Sequence, residues 1–207
     1  PCCGCAPDSS SGGEVHEREF LLAMAPLSDL HLLISPAKRV PRSLEGLREP
    51  LWPRCGLRWS VTPWTVPWAI LRCLRRHGPG VIRAHSLRYM GPAAVLAGRL
   101  SGSPVLAHVH HLDGGPLAWL DRWVLRQADG VTTDSRFSAR QAEVEAGLPA
   151  GSVTAIPCGV GPEFSPSSDT SQDPLVLFLG GLKPRKNVEF LLSAWRRVVR
   201  HMPRARL

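Results

Sequence analysis

The sequence predicts an α/β fold, a Rossmann-like parallel sheet with helices on both faces, and three observations support that prediction. Short apolar runs alternate with helix-length segments from residue 81 to residue 156. Turns rich in glycine, serine or proline separate these segments, as they do in successive βαβ units. An apolar fraction of 43% with 20% charged residues is a globular composition that can build a hydrophobic core.

The elements of the first domain follow one another in a regular order. We expect a loop over residues 1–13, a helix over 14–25, a strand over 30–34 and an irregular segment over 35–50. Further strands are predicted at 56–61, 81–85, 104–109, 130–133 and 153–156, and further helices at 69–77, 89–100, 117–128 and 136–146. Ser135 is the predicted N-cap of the last helix, and Gly147 ends it.

A second domain is predicted to begin at residue 175. Residues 164–174 are rich in serine, aspartate, threonine and proline and lack apolar periodicity, which is typical of a linker. The apolar run 175–179 then ends at Gly180 and Gly181, and Asn187 precedes apolar residues at helical spacing. We therefore expect a first domain over 1–163, a linker over 164–174, and one strand, loop and Asn-capped helix of a second domain over 175–207.

The net charge indicates which partners the protein binds, and the cysteine content indicates its compartment. A net charge of +8 and a pI near 9.8 favour anionic partners such as nucleotide phosphates or anionic lipid. The arginines are spread over predicted helices without a dense run, which argues against a nucleic-acid partner. No apolar run approaches the roughly 18 residues of a membrane span. The six cysteines match no disulfide scaffold, so we expect reduced thiols and a cytoplasmic protein.

Polar residues occur where the predicted strands end, and ligands of open α/β sheets bind at that edge. His85 ends one predicted strand, and His110 directly follows the next. In the second domain, Lys186 precedes a helix whose first N–H groups would bind a phosphate. Read from the pattern alone, an ordinary βα turn with exposed cations is the alternative interpretation of this last feature.

The stretch GGLKPRKNVEFLLSAW resembles the motif that opens the second domain of family 4 glycosyltransferases, which are retaining enzymes with the GT-B fold. The segments LDRWVLRQADGVTTDSRFSARQ and VTAIPCGVGPEF resemble later parts of the first domain of that family. The resemblance covers most of the chain beyond Val81. It implies an acceptor-side domain lacking its first strand, followed by the first βα unit of a donor domain, so we expect a chain truncated at both ends.

The resemblance also implies roles for individual residues. His110 would be catalytic, because it would bind a hydroxyl of the donor sugar and stabilise charge at the reacting carbon. Residues for the donor diphosphate are implied at Lys186, Arg185, Gly180 and Gly181. Residues of the acceptor cleft are implied at Gly12, Gly13 and His85. The two glycines end the segment Ser-Ser-Ser-Gly-Gly, which resembles the N-terminal glycine loop of the family.

Three positions depart from the family pattern. Gly181 replaces a frequent arginine, Cys158 replaces an asparagine, and Gly161 replaces an aspartate. The retaining class also uses a motif of two glutamates separated by seven residues, which would lie beyond Leu207. We therefore expect the chain to be inactive alone, and the departures keep a degenerate enzyme among the alternatives.

The implied reaction is transfer of a sugar from a nucleotide-diphosphate sugar to a saccharide or a lipid-linked acceptor, without a metal or other cofactor. A metal site built from His108, His110, His111 and Asp113 is the weaker interpretation, because alternate residues of a strand face opposite ways. We expect a structural role for His108. A nucleotide-sugar epimerase of the same fold and a non-catalytic basic binding module are the rival functions.

Residues 54–76 combine tryptophans with arginines. Tryptophan favours membrane interfaces, and arginine is attracted to anionic lipid. We therefore expect peripheral contact with the inner face of a membrane, although tryptophans that fill the core beneath a loop are the alternative.

Overall fold

Four short parallel strands form the sheet that the alternating pattern predicts. The computed structural model describes residues 5–9, 11–34, 39–49, 62–110, 112, 114–161, 164–166, 174–182 and 184–207. The strands are β1 (Ile82–Ala84), β2 (Val105–Val109), β3 (Gly130–Thr133) and β4 (Val153–Ala155), and they pair in the order β1-β2-β3-β4. Parallel registers such as Ala84↔Ala107 and Val109↔Thr133 bring the carboxyl ends of the strands to one edge.

Helices flank this sheet, so the α/β prediction is confirmed. The helices of the described part of the chain are α1 (Gly12–Met24), α2 (Arg42–Glu45), α3 (Thr62–His77), α4 (Leu87–Ser101), α5 (Ala118–Gln127), α6 (Arg136–Ala146) and α7 (Val188–His201), and Pro184–Lys186 forms a 3-10 turn. Helices α1 to α6 belong to the same unit as the sheet, and α7 belongs to a second unit. The chain divides into two units, Pro1–Gly159 and Val160–Leu207. Among the described residues, no helix is both long and apolar enough to cross a membrane.

The main core of the first unit lies between the sheet and helices α3 to α6. Helix α4 approaches its neighbours closely because it presents small residues to them. A Cβ added at Gly91 would lie 2.7 Å from Val124 of α5, and one added at Gly98 would lie 2.4 Å from Val105 of β2. A second, smaller cluster joins α1 and α2 to the segment around Leu32.

Local signals place some element ends correctly. Strand β3 and helix α6 have the predicted bounds. The Ser138 N–H donates to Ser135 Oγ over 3.1 Å, and Gly147 ends the helix at a φ of 64°. Asn187 precedes α7 as predicted, but its φ of 49° lies in the left-handed region and its side chain makes no capping hydrogen bond. Asparagine adopts that conformation more readily than most residues.

Two predicted strands are wrong. Within 30–34 only Leu32 pairs, as an isolated bridge to Arg48, and within 175–179 only Leu175 pairs, with Arg206. An apolar run becomes a strand only where a neighbouring backbone continues the ladder, and one bridge supplies no ladder. The loop prediction for 35–50 is also incomplete, because it contains α2. The predicted strand 56–61 lies outside the described residues.

Helix α3 begins seven residues before the predicted start at 69, since its bounds are Thr62–His77. Pro67 lies inside it. Proline removes one backbone donor, and the helix continues past it here. Helix α1 likewise begins at Gly12 and not at residue 14.

Candidate functional site

The carboxyl edge of the sheet carries the polar residues of the candidate site. His85 directly follows β1, His110 directly follows β2, and Asp134 directly follows β3. Because the three strands are parallel neighbours, these side chains converge. His16, from the second turn of α1, joins them.

Asp134 binds two imidazoles with its two carboxylate oxygens. His110 Nδ1 lies 2.5 Å from Asp134 Oδ2, and His108 Nε2 lies 3.1 Å from Asp134 Oδ1. The other nitrogen of His108 lies 2.9 Å from Thr132 Oγ1. His108 is buried, so its ring is a packed part of the cluster and supports the ring of His110.

A second carboxylate holds the opposite histidine. Glu17 is buried on α1, and its Oε2 lies 2.8 Å from Nδ1 of His85. Arg83 Nη1 donates to Glu17 Oε1 over 2.6 Å, and its guanidinium lies 4.2 Å from the ring centroid of Phe20. Glu17 thus joins α1 to strand β1 and orients His85.

The two histidines face each other through their remaining nitrogens, with 3.4 Å between His85 Nε2 and His110 Nε2. When Nδ1 of each ring carries the proton beside its carboxylate, each Nε2 presents a lone pair to the space between the rings. Two lone pairs repel, so this arrangement accommodates one shared proton, or a ligand hydroxyl that donates to one of the rings. The pair can therefore bind a hydroxyl group or accept its proton.

His16 and Cys158 complete the cluster. The His16 ring stacks on His108 with 5.5 Å between ring centroids, and it meets His110 edge-on at 5.1 Å. His16 Nε2 lies 3.8 Å from Asp134 Oδ1, and its Nδ1 lies 3.3 Å from Cys158 Sγ. Cys158 follows β4, so every strand of the sheet contributes to this edge.

Burial favours the neutral forms of His108 and His110 by lowering the pKa of each. Removal from water, together with the nearby positive charge of Arg83, lowers the pKa of His108 to about 4. Burial also lowers the pKa of His110, although the Asp134 carboxylate opposes that change. A neutral ring at ordinary pH keeps a lone pair for a hydroxyl donor.

The carboxylates stay ionised despite their burial. Burial alone would raise the pKa of Glu17, but hydrogen bonds and charge from His85 and Arg83 outweigh it and hold the pKa at about 2. Burial likewise opposes ionisation of Asp134, but its hydrogen bond with His110 outweighs burial and lowers the pKa of Asp134. Burial and the Asp134 charge raise the pKa of the Cys158 thiol, so this cysteine is not an activated nucleophile.

One group in this cluster has the composition of a metal site. Ligand atoms of His16, His108, His110 and Asp134 all lie within 4.8 Å of one another. A cation there would take the same nitrogens that now bind the carboxylate, so the two uses exclude each other. His111 and Asp113 of the sequence interpretation lie outside the described residues.

Gly12 and Gly13 form the first turn of α1, where the sequence predicts a loop. A Cβ added to either would meet no heavy atom within 4 Å, and neither has a positive φ. Packing of the described residues therefore does not require glycine here. The space beside the helix N-terminus is open.

The second unit places the predicted donor residues on one short loop. Lys186 closes the 3-10 turn that also contains Arg185, and Asn187 and α7 follow directly. Lys186 Cε lies 4.0 Å from the position that a Cβ on Gly180 would occupy, so the lysine stem passes the glycine. Gly181 is exposed beside them.

Sequence reasoning singled out three of the converging residues, His85, His110 and Cys158, and missed His16, Glu17 and Asp134. Asp134 had a readable signal, since it directly follows a predicted strand, as both histidines do. His16 and Glu17 had none, because a polar residue on an amphipathic helix is usually solvated.

One comparison with known proteins identifies the first unit. The family model described as Glycosyltransferase Family 4 matches residues 10–164, which is more than half of the chain. The match extends from α1 through β4 and so includes every residue of the cluster at the sheet edge. No curated protein matches the chain. The chain belongs to glycosyltransferase family 4.

Proposed function

We propose that this glycosyltransferase takes its sugar from a nucleotide-diphosphate donor and transfers it to a saccharide or lipid-linked acceptor with retention of configuration, in the GT-B architecture. Family membership supports sugar transfer in general. The observation that carries the finer proposal is the His110–Asp134 pair at the ligand edge of the sheet, with its 2.5 Å hydrogen bond.

His110 is the proposed catalytic residue. Asp134 fixes the ring and occupies Nδ1, which leaves Nε2 to accept a hydrogen bond from a hydroxyl of the donor sugar. A neutral, oriented ring favours the positive charge that develops at the anomeric carbon, whereas an imidazolium would oppose it. His108 and Asp134 act as positioning residues.

Departure of the diphosphate is the second requirement. The bond between the anomeric carbon and the phosphate oxygen breaks, and that oxygen keeps the electron pair. Lys186, Arg185 and the first N–H groups of α7 are the proposed stabilisers of this charge, with Gly180 and Gly181 allowing close approach. Cationic and N–H groups suffice for this role, so the proposal includes no catalytic metal.

The acceptor supplies a hydroxyl oxygen that bonds to the anomeric carbon and loses its proton to the departing phosphate. His85, held by Glu17, is proposed to bind the acceptor, with Gly12 and Gly13 leaving room beside it. These assignments make the two carboxylate–imidazole pairs the two halves of one reaction centre.

Product analysis of the complete protein tests this proposal. The protein is incubated with a panel of nucleotide sugars and acceptors, and the anomeric configuration of any product is read by NMR. A glycoside that retains the donor configuration supports the proposal. A nucleotide sugar or free sugar with an inverted ring carbon would favour the epimerase, and donor binding without any product would favour the binding module.

We also propose that the protein contacts anionic membrane surfaces and works at the cytoplasmic side. Trp68, Arg72 and Arg75 recur at helical spacing on α3, and the Trp68 side chain is 63% exposed. Each cation near such a surface contributes about 1 kcal/mol. Vesicle co-sedimentation should show binding that requires anionic lipid and weakens in Trp68→Ala and Arg72→Ala. Equal binding to neutral vesicles would contradict it.

A further inference from the structure

We propose a structural zinc site, separate from the sheet edge, formed by His31, Glu49, Cys73 and His77. These four residues are called the α3 cluster below. Their ligand atoms all lie within 4.8 Å of one another. The inference does not depend on the reaction that the enzyme catalyses.

Two backbone features bring the four residues together. Cys73 and His77 are four residues apart on α3 and therefore share one face, the spacing that helical zinc ligands use. His31 and Glu49 flank the isolated bridge between Leu32 and Arg48. Two hydrogen bonds hold that bridge, from Leu32 N–H to Leu47 O and from Glu49 N–H to Leu32 O.

The four side chains point toward one another. Glu49 Oε1 lies 2.7 Å from His77 Nε2 and 3.3 Å from His31 Nδ1. The rings of His31 and His77 approach to 3.7 Å between centroids. The Cys73 thiol is half-buried and free of a disulfide. Rotations of the two imidazoles would place four donors around one point.

The donor set favours zinc over other cations. Zinc takes thiolate, imidazole and carboxylate ligands, and four protein ligands make a closed, structural site. Calcium and magnesium prefer oxygen ligands, and Glu49 is the only one of these four residues that offers oxygen atoms. After the thiol proton has passed to the solvent, one thiolate and one carboxylate together neutralise the two positive charges of Zn²⁺.

Charged neighbours surround the α3 cluster on two sides. Asp29 Oδ1 lies 3.4 Å from His31 Nε2, and Arg76 Nη1 lies 3.8 Å from Glu49 Oε2. An aspartate behind a ligating imidazole is a common outer partner in zinc sites, because it orients the ring. Arg76 would compete with the metal for one oxygen of Glu49 and leave the other available.

The position of the α3 cluster indicates what the metal would do. Helix α3 belongs to the main core through Val66 and Ile70, whereas Leu32 and Leu44 belong to the smaller cluster with α1. A zinc ion bound by both segments would cross-link the two clusters. Since α1 supplies His16 and Glu17, the metal would stabilise the same arrangement that positions the sheet-edge cluster.

Cobalt substitution tests the proposal on the full chain. The reduced chain is freed of metal with a chelator and titrated with Co²⁺, and zinc affinity is then measured by competition. We expect one equivalent with d–d bands of a four-coordinate ion and a thiolate-to-cobalt charge-transfer band. Zinc should raise the thermal unfolding midpoint of the parent chain.

Three variants locate the ion. Cys73→Ser should abolish the charge-transfer band, and His77→Gln, at the surface end of α3, should weaken zinc binding at least about tenfold. Cys158→Ser is the matched control, because Cys158 lies against His16 in the other histidine group. It should keep both the band and the affinity.

The proposal is overturned if Cys73→Ser retains the band, if only Cys158→Ser loses it, or if the parent chain shows no saturable binding. Should Cys73→Ser fail to fold, His77→Gln decides the question by the same titration, and unchanged zinc affinity there also overturns the site. Failure of sugar transfer would leave these results unaffected.

Discussion

Asp134 contacts three imidazole rings. It hydrogen-bonds His110 and His108 and lies near His16. A carboxylate that accepts from two rings fixes which nitrogen of each carries the proton. The reactive nitrogen of His110 is therefore set by a residue that need not touch the substrate.

Replacing Asp134 with asparagine tests this dependence. We expect turnover to fall at least tenfold, because the ring of His110 loses its fixed tautomer. The Asp134 carboxylate raises the pKa of His110 against burial, so its removal lowers that pKa further. The acid limb of the pH–rate profile should therefore move to lower pH.

The matched control for Asp134→Asn is Glu145→Gln, an acid-to-amide change at an exposed residue paired with Gln141. It should leave the profile unchanged. An acid limb that stays in place in Asp134→Asn, with turnover near that of the parent, would show that Asp134 is only a packing residue.

His110 and Lys186 should respond differently to truncation. His110→Ala should lower turnover about a hundredfold, on the order of 3 kcal/mol, while nucleotide binding stays intact. Lys186→Ala should weaken donor binding and also slow turnover, since leaving-group charge grows during cleavage. Steady-state kinetics and calorimetry on the complete protein measure both, with Arg204→Ala as a control. Turnover of His110→Ala within a few-fold of the parent would refute its role.

At the scale of elements, the close contacts of α4 fix how the helices sit on the sheet. Alanine is a better helix former than glycine by about 1 kcal/mol. At Gly98, however, the added Cβ would lie 2.4 Å from a Val105 methyl and 2.9 Å from the Ser103 carbonyl oxygen. Moving the backbone oxygen would distort the chain, so we expect the steric clash to outweigh the gain in helix propensity.

Gly98→Ala should therefore destabilise the chain by roughly 1–3 kcal/mol. Gly13→Ala is the matched control, because it is also helical and has nothing within 4 Å of the added Cβ. That variant should be neutral or slightly stabilising. Urea unfolding of both measures the difference, and equal stabilities would mean that α4 shifts to accept the methyl group.

Sequence patterns predicted elements well where local signals mark both ends. Helix α6 has a serine cap and a terminal glycine, and its bounds are correct. The start of β2 depends on a contact that no local pattern reveals, since Asp129 Oδ2 accepts the Val105 N–H over 2.8 Å. The two failed strands, at 30–34 and 175–179, share that difficulty, because a ladder needs a partner distant in sequence.

For the whole molecule, buried ionisable groups predict loss of stability in acid. The folded pKa values of His108, about 4, and Glu17, about 2, both lie below their usual values of 6.5 and 4.5. The unfolded chain thus binds more protons, and the free energy of unfolding falls as pH falls. Protonation of His108 lowers the free energy of unfolding as the pH falls from 6.5 to about 4, and protonation of Glu17 lowers it from pH 4.5 to about 2. Each contribution is on the order of 3 kcal/mol.

Urea unfolding at a series of pH values checks these windows. In His108→Asn, the free energy of unfolding should change less with pH above pH 4. In Glu17→Gln, it should change less with pH below pH 4.5, and it should be lower than in the parent at every pH. A curve that does not change between pH 6.5 and 4 in the parent would contradict the burial of a neutral His108.

The whole-molecule prediction succeeded for the α/β class because strand and helix periodicities repeat along the first unit. The boundaries predicted at 163, 164–174 and 175 remain predictions, although the chain separates into units after Gly159. The convergence at the sheet edge was readable only for residues that end strands. Contacts such as Arg83 with Glu17, 66 positions apart, arise from packing that no periodicity encodes.

The strand order has a consequence for synthesis on the ribosome. Each strand pairs with the one made just before it, so the nascent sheet can grow one βα unit at a time. Helix α1 completes its contacts over a longer interval, because Glu17 meets Arg83 across 66 positions and His16 meets Cys158 across 142. At typical elongation rates the contact with Cys158 forms on the order of ten seconds after α1 is made. A translational pause before β4 would therefore lengthen the time for which His16 lacks its last partner, and the histidine cluster would be completed only after that pause.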